Sequence, residues 1–200
     1  MELIADSLTK YFNDSINFSE RVYGYHHQAI IGLFCHWWLA HGEKLGYQFP
    51  ALMTGLHAGR RKGEKTGGSV ADNLFAHWGG SIIGMLEVEV AAGLTTETIV
   101  PQLNKTCTSI KKHKKDYPEL QWAITFQPAW DEKAYIQKVK QLQDLVRQKQ
   151  FAETLDALSQ KLGIVIFNCT AQAEFSDRGT GPMLEAQWGQ LEVTVHKPGT

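Results

Sequence analysis

The chain has 200 residues, 20 Lys+Arg against 21 Asp+Glu, a formal net charge of −1, and 43% hydrophobic against 20% charged residues. That composition excludes collagen, a charged disordered tail and a disulfide-dense scaffold, and it leaves room for one domain or two small ones. Balanced charge argues against wholesale polyanion binding and leaves a local basic patch open.

Cys35, Cys107 and Cys169 are far apart and set among apolar residues, as buried thiols of a reducing compartment are. Met1 to Asp6 has neither the basic nor the apolar run of a signal peptide. The apolar run Ala29 to Ala40 is shorter than the roughly 20 residues a bilayer span needs. A soluble cytoplasmic protein with no membrane partner is expected.

In chain order, Leu3, Leu8 and Phe12 predict a short first helix that ends near Asn13-Asp14. Val22, His26, Ala29, Leu33, Trp37 and Ala40 have helical spacing and predict a longer one from Phe18 to Gly42. Leu52 to Ala58 reads as helical. The glycines from Gly59 to Gly68 predict an exposed loop. Ser69 and Asp72 resemble a capping box opening a helix through His77, Gly79-Gly80 interrupts it, and Ile82 to Ala92 continues as an apolar segment. Thr95 or Thr98 caps a helix with Ile99, Leu103, Cys107 and Ile110 on one face.

After Pro118 the period changes. Leu120, Trp122, Ile124 and Phe126 alternate as in a strand that Pro128 ends. Tyr135, Val139, Leu142 and Val146 predict one helix, and Phe151, Leu155, Leu158 and Leu162 a second, stopped by Gly163. Two more strands follow, and the second changes phase between Trp188 and Leu191. A β-bulge at Gly189-Gln190 absorbs that slip. The expected class is therefore α+β. A helix-rich part with about five helices (1–115) precedes a β-α-α-β-β part with a terminal hairpin (116–200), as two subdomains or one compact domain.

Three features could carry chemistry. The first is a basic loop with Arg60, Arg61, Lys62 and Lys65 before Ser69, where free amides and guanidinium groups suit an anion. It is not a P-loop: Glu64 stands where the lysine belongs and no strand is predicted before it. The second is histidine clustering, with His36, His57 and His77 as the set that separate helices could bring to a metal; no pair has chelating spacing. The third is Lys111, Lys112, Lys114 and Lys115, with Lys105 on the same helix, as a contact for a nucleic-acid backbone. Cations at a helix C-terminus also suit the macrodipole.

Elsewhere the signals are weaker. Cys35 and His36 are helical neighbours that point about 100° apart, and no GxSxG occurs. Glu87 and Glu89 sit in the apolar stretch Ile82 to Val90; if that stretch is a helix the two lie about 200° apart, so at most one faces inward. Trp37 and Trp38 also diverge. Either one of them meets an interface, or both faces of their helix are buried.

The leading expectation is a non-enzymatic binding or assembly protein, a subunit of a cytoplasmic complex whose basic loop contacts an anionic ligand or partner. Its partner is another protein or a second copy. The alternatives are a His-rich, metal-dependent enzyme and a nucleic-acid-backbone binder. The sequence assigns no cofactor and no reaction.

Overall fold

The computed structural model describes residues 2–16, 22–23, 27–47, 51–54, 73–88, 96–130, 145–176 and 185–199. In chain order they form α1 (Glu2–Ile16), β1 (Val22–Tyr23), α2 (His27–His41), β2 (Ala51–Thr54), β3 (Asn73–Trp78), β4 (Ser81–Val88), α3 (Thr96–Asp116), β5 (Trp122–Trp130), α4 (Leu145–Leu162), β6 (Val165–Ser176) and β7 (Glu185–His196). The seven described strands share one sheet in the order β1-β7-β6-β5-β4-β3-β2.

The strands β4, β5 and β6 run parallel, and the remaining pairings are antiparallel. Parallel neighbours need crossovers, and α3 and α4 supply them. Both crossovers step the same way across the sheet, so right-handedness puts both helices on one face. There Leu103, Cys107, Ile110, Leu155 and Leu158 pack with Phe75, Met85, Ala123 and Ile166. On the other face Leu8, Phe12, Phe34, Trp37 and Trp38 pack with Leu86, Trp122, Ile124 and Phe167. Three layers, helix on sheet on helix, result.

The α+β expectation holds at the level of helices plus a mixed sheet, but its element order is corrected. The described chain has four helices, and the first part carries strands between its helices instead of about five helices. Leu52 to Thr54, Asn73 to His77 and Ile82 to Val88, all expected to be helical, are in β2, β3 and β4. Apolar runs this short read alike as buried strand and buried helix. Gly79 and Gly80, with φ of 59° and 85°, are the two left-handed residues of a tight β3–β4 turn and not a helix interruption. The single helix expected from Phe18 to Gly42 is likewise β1 followed by α2. Ile4 takes the buried place expected of Leu3, which is 70% exposed.

The described later elements are β5, α4, β6 and β7; the helix expected from Tyr135, Val139 and Leu142 falls on 131–144, outside the described residues, and Val146, expected in that helix, lies in α4. The strand β5 runs through Pro128 to Trp130. Among the described residues its pairing with β4 runs to Phe126↔Val88, and Pro128 pairs with Ala171 of β6 alone, so proline's missing N–H meets a single described neighbour. The β7 bulge is where the phase slip put it: Ala171 pairs with Leu191 and Ala173 with Trp188, which leaves Gly189-Gln190 opposite one residue. Asp116 to Pro118 leads from α3 into β5 within the shared sheet.

Candidate functional site

Open α/β sheets bind ligands outside the carboxyl ends of their parallel strands. On β4 that end carries Glu87, only 4% exposed. Its register partners are Asn73 on β3 and Thr125 on β5; Thr125 in turn pairs with Asn168 on β6, and Asn168 with Thr194 on β7. Directly paired residues share a face, so a polar row crosses the sheet on the α3/α4 side. Within it the Thr125 hydroxyl donates to Oδ1 of Asn168 at 2.9 Å. A carboxylate this buried needs hydrogen bonds, because desolvation otherwise drives it neutral. The Ser109 hydroxyl, from α3, donates to Glu87 Oε2 at 2.8 Å.

The direction of α3 follows from its contacts. Ser109 lies over Glu87, while His113 and Tyr117 meet Phe75, the register partner of Met85, edge to face. The helix therefore runs antiparallel to β4. Thr106, one turn before Ser109, lies further toward the strands' carboxyl ends. It is 1% exposed, and its Oγ1 has no hydrogen-bond partner. Thr106 and Ser109 share the inward side of the helix. Ser109 thus sets a hydroxyl on the carboxylate, and Thr106 adds a buried, unpartnered hydroxyl one turn away on the same helix; oxygen donors of this kind suit a hard cation or a polar ligand.

The residues Arg60, Arg61, Lys62, Lys65, Ser69 and His57 lie outside the described residues. The attachment of their segment is set by its neighbours: Thr54 pairs with Leu74, and Asn73 with Glu87. Thr54 and Asn73, the described residues that flank 55–72 in the sequence, both lie at the Glu87 end of the sheet. His36 is exposed on α2, where its Nδ1 shares a hydrogen bond with the Tyr11 hydroxyl at 2.6 Å. His77 pairs with Ile82, whose side chain packs in the α3/α4 core. The sheet separates the two histidines. Among the described residues no three His, Cys, Asp or Glu converge to hold a metal.

Of the helix-end lysines, Lys111, Lys112 and Lys115 are exposed. Lys114 turns back and donates to the carbonyls of Pro118 at 2.6 Å and Leu120 at 2.9 Å, satisfying acceptors just beyond α3. Burial pushes the thiols of Cys107 and Cys169 up, which keeps them protonated and poor nucleophiles. Trp37 and Trp38 are both buried, at 1% and 2% exposure, because α2 meets α1 on one side and the sheet on another. Trp37 Nε1 donates to Ser7 of α1 at 3.1 Å, and Trp38 packs on Trp122 of β5.

Sequence reasoning missed Ser109, Thr106, Thr125 and Asn168. Their signal is a polar residue at an inward position of a strand or helix, visible only once both faces of β5 and β6 are known to be covered. Fold and site together define a class: a three-layer α/β/α protein with a buried carboxylate at the carboxyl end of its parallel strands. Compared with protein-family models, curated proteins and solved structures, the chain matches none of them.

Proposed function

We propose that the protein binds phosphate esters at the carboxyl end of β4, β5 and β6 and hydrolyses them with a divalent cation held by Glu87. The observation that carries this reading is the Asn73↔Glu87 register. It sets Asn73 beside a buried acid, and in the sequence Asn73 follows the stretch that holds Arg60, Arg61, Lys62 and Lys65. The sequence adds Asp72, immediately before Asn73, and Glu89, two residues after Glu87. Magnesium-type sites use one or two carboxylates and leave the remaining positions to water and phosphate oxygens.

The roles follow from charge. Glu87 anchors the cation, Ser109 orients the carboxylate, and the arginines pair with non-bridging phosphate oxygens. Hydrolysis adds water to phosphorus, breaks the ester P–O bond and passes one proton of that water to the departing alcohol; a cation held by Glu87 would supply positive charge for the phosphoryl oxygens, beside the guanidinium groups. Ser69 is the candidate amide and hydroxyl donor to the same phosphate.

Purified protein incubated with a phosphodiester and a phosphomonoester chromogen, with Mg²⁺ or Mn²⁺, tests the reading. Turnover abolished by EDTA is expected, and a loss of about 100-fold in Glu87→Gln with the fold retained. No cation-dependent turnover of either ester, or a fully active Glu87→Gln, overturns it. Phosphate binding without turnover, weakened by Arg60→Ala/Arg61→Ala, returns the chain to a non-enzymatic anion-binding role in a complex.

A further inference from the structure

The geometry points to a nucleic acid as the substrate, its phosphate backbone tracked along the solvent face of α3; this rests on the phosphate-ester reading of the Glu87 site. Projected at about 100° per residue, Asn104, Lys105, Thr108, Lys111, Lys112 and Lys115 fall within an arc of about 120°. All six are exposed. No acid occurs between Asn104 and Lys115; the next is Asp116, at the helix end. The inward arc of the same helix holds Leu103, Cys107 and Ile110 in the core. Ser109 lies at the border between the two arcs and bonds Glu87. The basic stripe therefore passes beside the site instead of away from it.

The macrodipole accounts for cations in the last turn only, since its effect falls off within that turn. Lys105 lies far upstream of that turn, and Lys111 also precedes the last-turn residues His113, Lys114 and Lys115. Lys114, which does cap the helix end, is also the lysine turned away from the stripe. From Lys105 to Lys115 the stripe spans about 15 Å at 1.5 Å per residue. That matches about four phosphates along one strand of a duplex, at roughly 3.4 Å each. A small phosphate ester requires no such track; a polymer does.

The test measures anisotropy of labelled single-stranded DNA, its RNA counterpart and the DNA duplex across salt concentrations, without divalent cation. It compares the wild type with Lys111→Gln/Lys112→Gln/Lys115→Gln and with a control of equal charge change, Lys10→Gln/Lys44→Gln/Lys161→Gln. In the α3 variant affinity should fall about tenfold or more, and the slope of log K against log salt should shrink by about two to three. The control should bind as the wild type does. Equal binding by both variants overturns the track, as does salt-independent binding or equal competition by polyglutamate at matched ionic strength. Turnover of a small phosphodiester separates the two proposals. If the α3 variant keeps it but loses polymer cleavage, the track is supported. If the α3 variant loses both in proportion, the track is overturned. If the wild type binds the polymer but turns over no ester, the Glu87 reading fails and the α3 surface stands as a binding site.

Discussion

The Ser109 hydroxyl on α3 donates to Glu87 Oε2 on β4 at 2.8 Å, tying a crossover helix to a buried carboxylate at the carboxyl end of the parallel strands. Hydrogen bonds of this kind orient a metal ligand, and their loss typically weakens metal affinity by about 10- to 100-fold. Ser109→Ala should therefore weaken Mn²⁺ binding by that amount. It should lower folding stability by only about 1 kcal/mol, the net worth of one hydrogen bond. Metal titration beside urea unfolding separates the two effects, and equal Mn²⁺ affinity in both proteins contradicts the orienting role.

Gly84 and Trp122 form a second obligatory pair. They are register partners on β4 and β5, and a Cβ on Gly84 would fall inside the Trp122 indole. The overlap is with a rigid ring, so Gly84→Ala overpacks the pair and should cost about 1–3 kcal/mol. Adding Trp122→Leu should recover part of that loss relative to Trp122→Leu alone, giving a coupling that denaturant unfolding of the four proteins measures. Strict additivity contradicts the clash.

Acid sensitivity should arise at His113. Burial between Phe75 and Tyr117 lowers its pKa from the ordinary 6.5; the Lys112 charge adds to this, and Asp116 opposes it. In the window between the lowered folded value and 6.5, the unfolded chain holds the proton and the folded chain does not. Stability is therefore full above that window and declines as pH falls through it. His113→Phe should flatten the decline seen in unfolding midpoints between about pH 7.5 and 5.5. An unchanged pH profile contradicts the assignment. Burial, Lys44 and His36 shift His41 in the same direction, so part of the decline remains.

Much of this architecture was legible where period and punctuation agree. The β7 bulge follows from the change of phase around Gly189-Gln190, and α4 from Phe151, Leu155, Leu158 and Leu162 before Gly163. The strands β2, β3 and β4 were not. The strand β2 is only four residues long, while Phe75 and Ala76 on β3 and Ile82, Ile83, Met85 and Leu86 on β4 are buried, which removes the alternation that marks a half-exposed strand. That misreading also hid the site. On a helix Glu87 is one of two diverging acids, whereas on β4 it is the register partner of Asn73 and Thr125. The link from Ser109 to Glu87 spans 22 residues and a crossover, a relation no local spacing encodes.

The central claim is that Glu87 holds a divalent cation at the carboxyl end of the parallel strands. Calorimetric titration of Mn²⁺ into the wild type and into Glu87→Gln, whose side chain keeps the size and an acceptor for Ser109, tests it most directly. One saturable site is predicted in the wild type, weakened at least about tenfold in Glu87→Gln at unchanged unfolding midpoint. No Mn²⁺ binding by the wild type, or equal affinity in the two proteins, contradicts it.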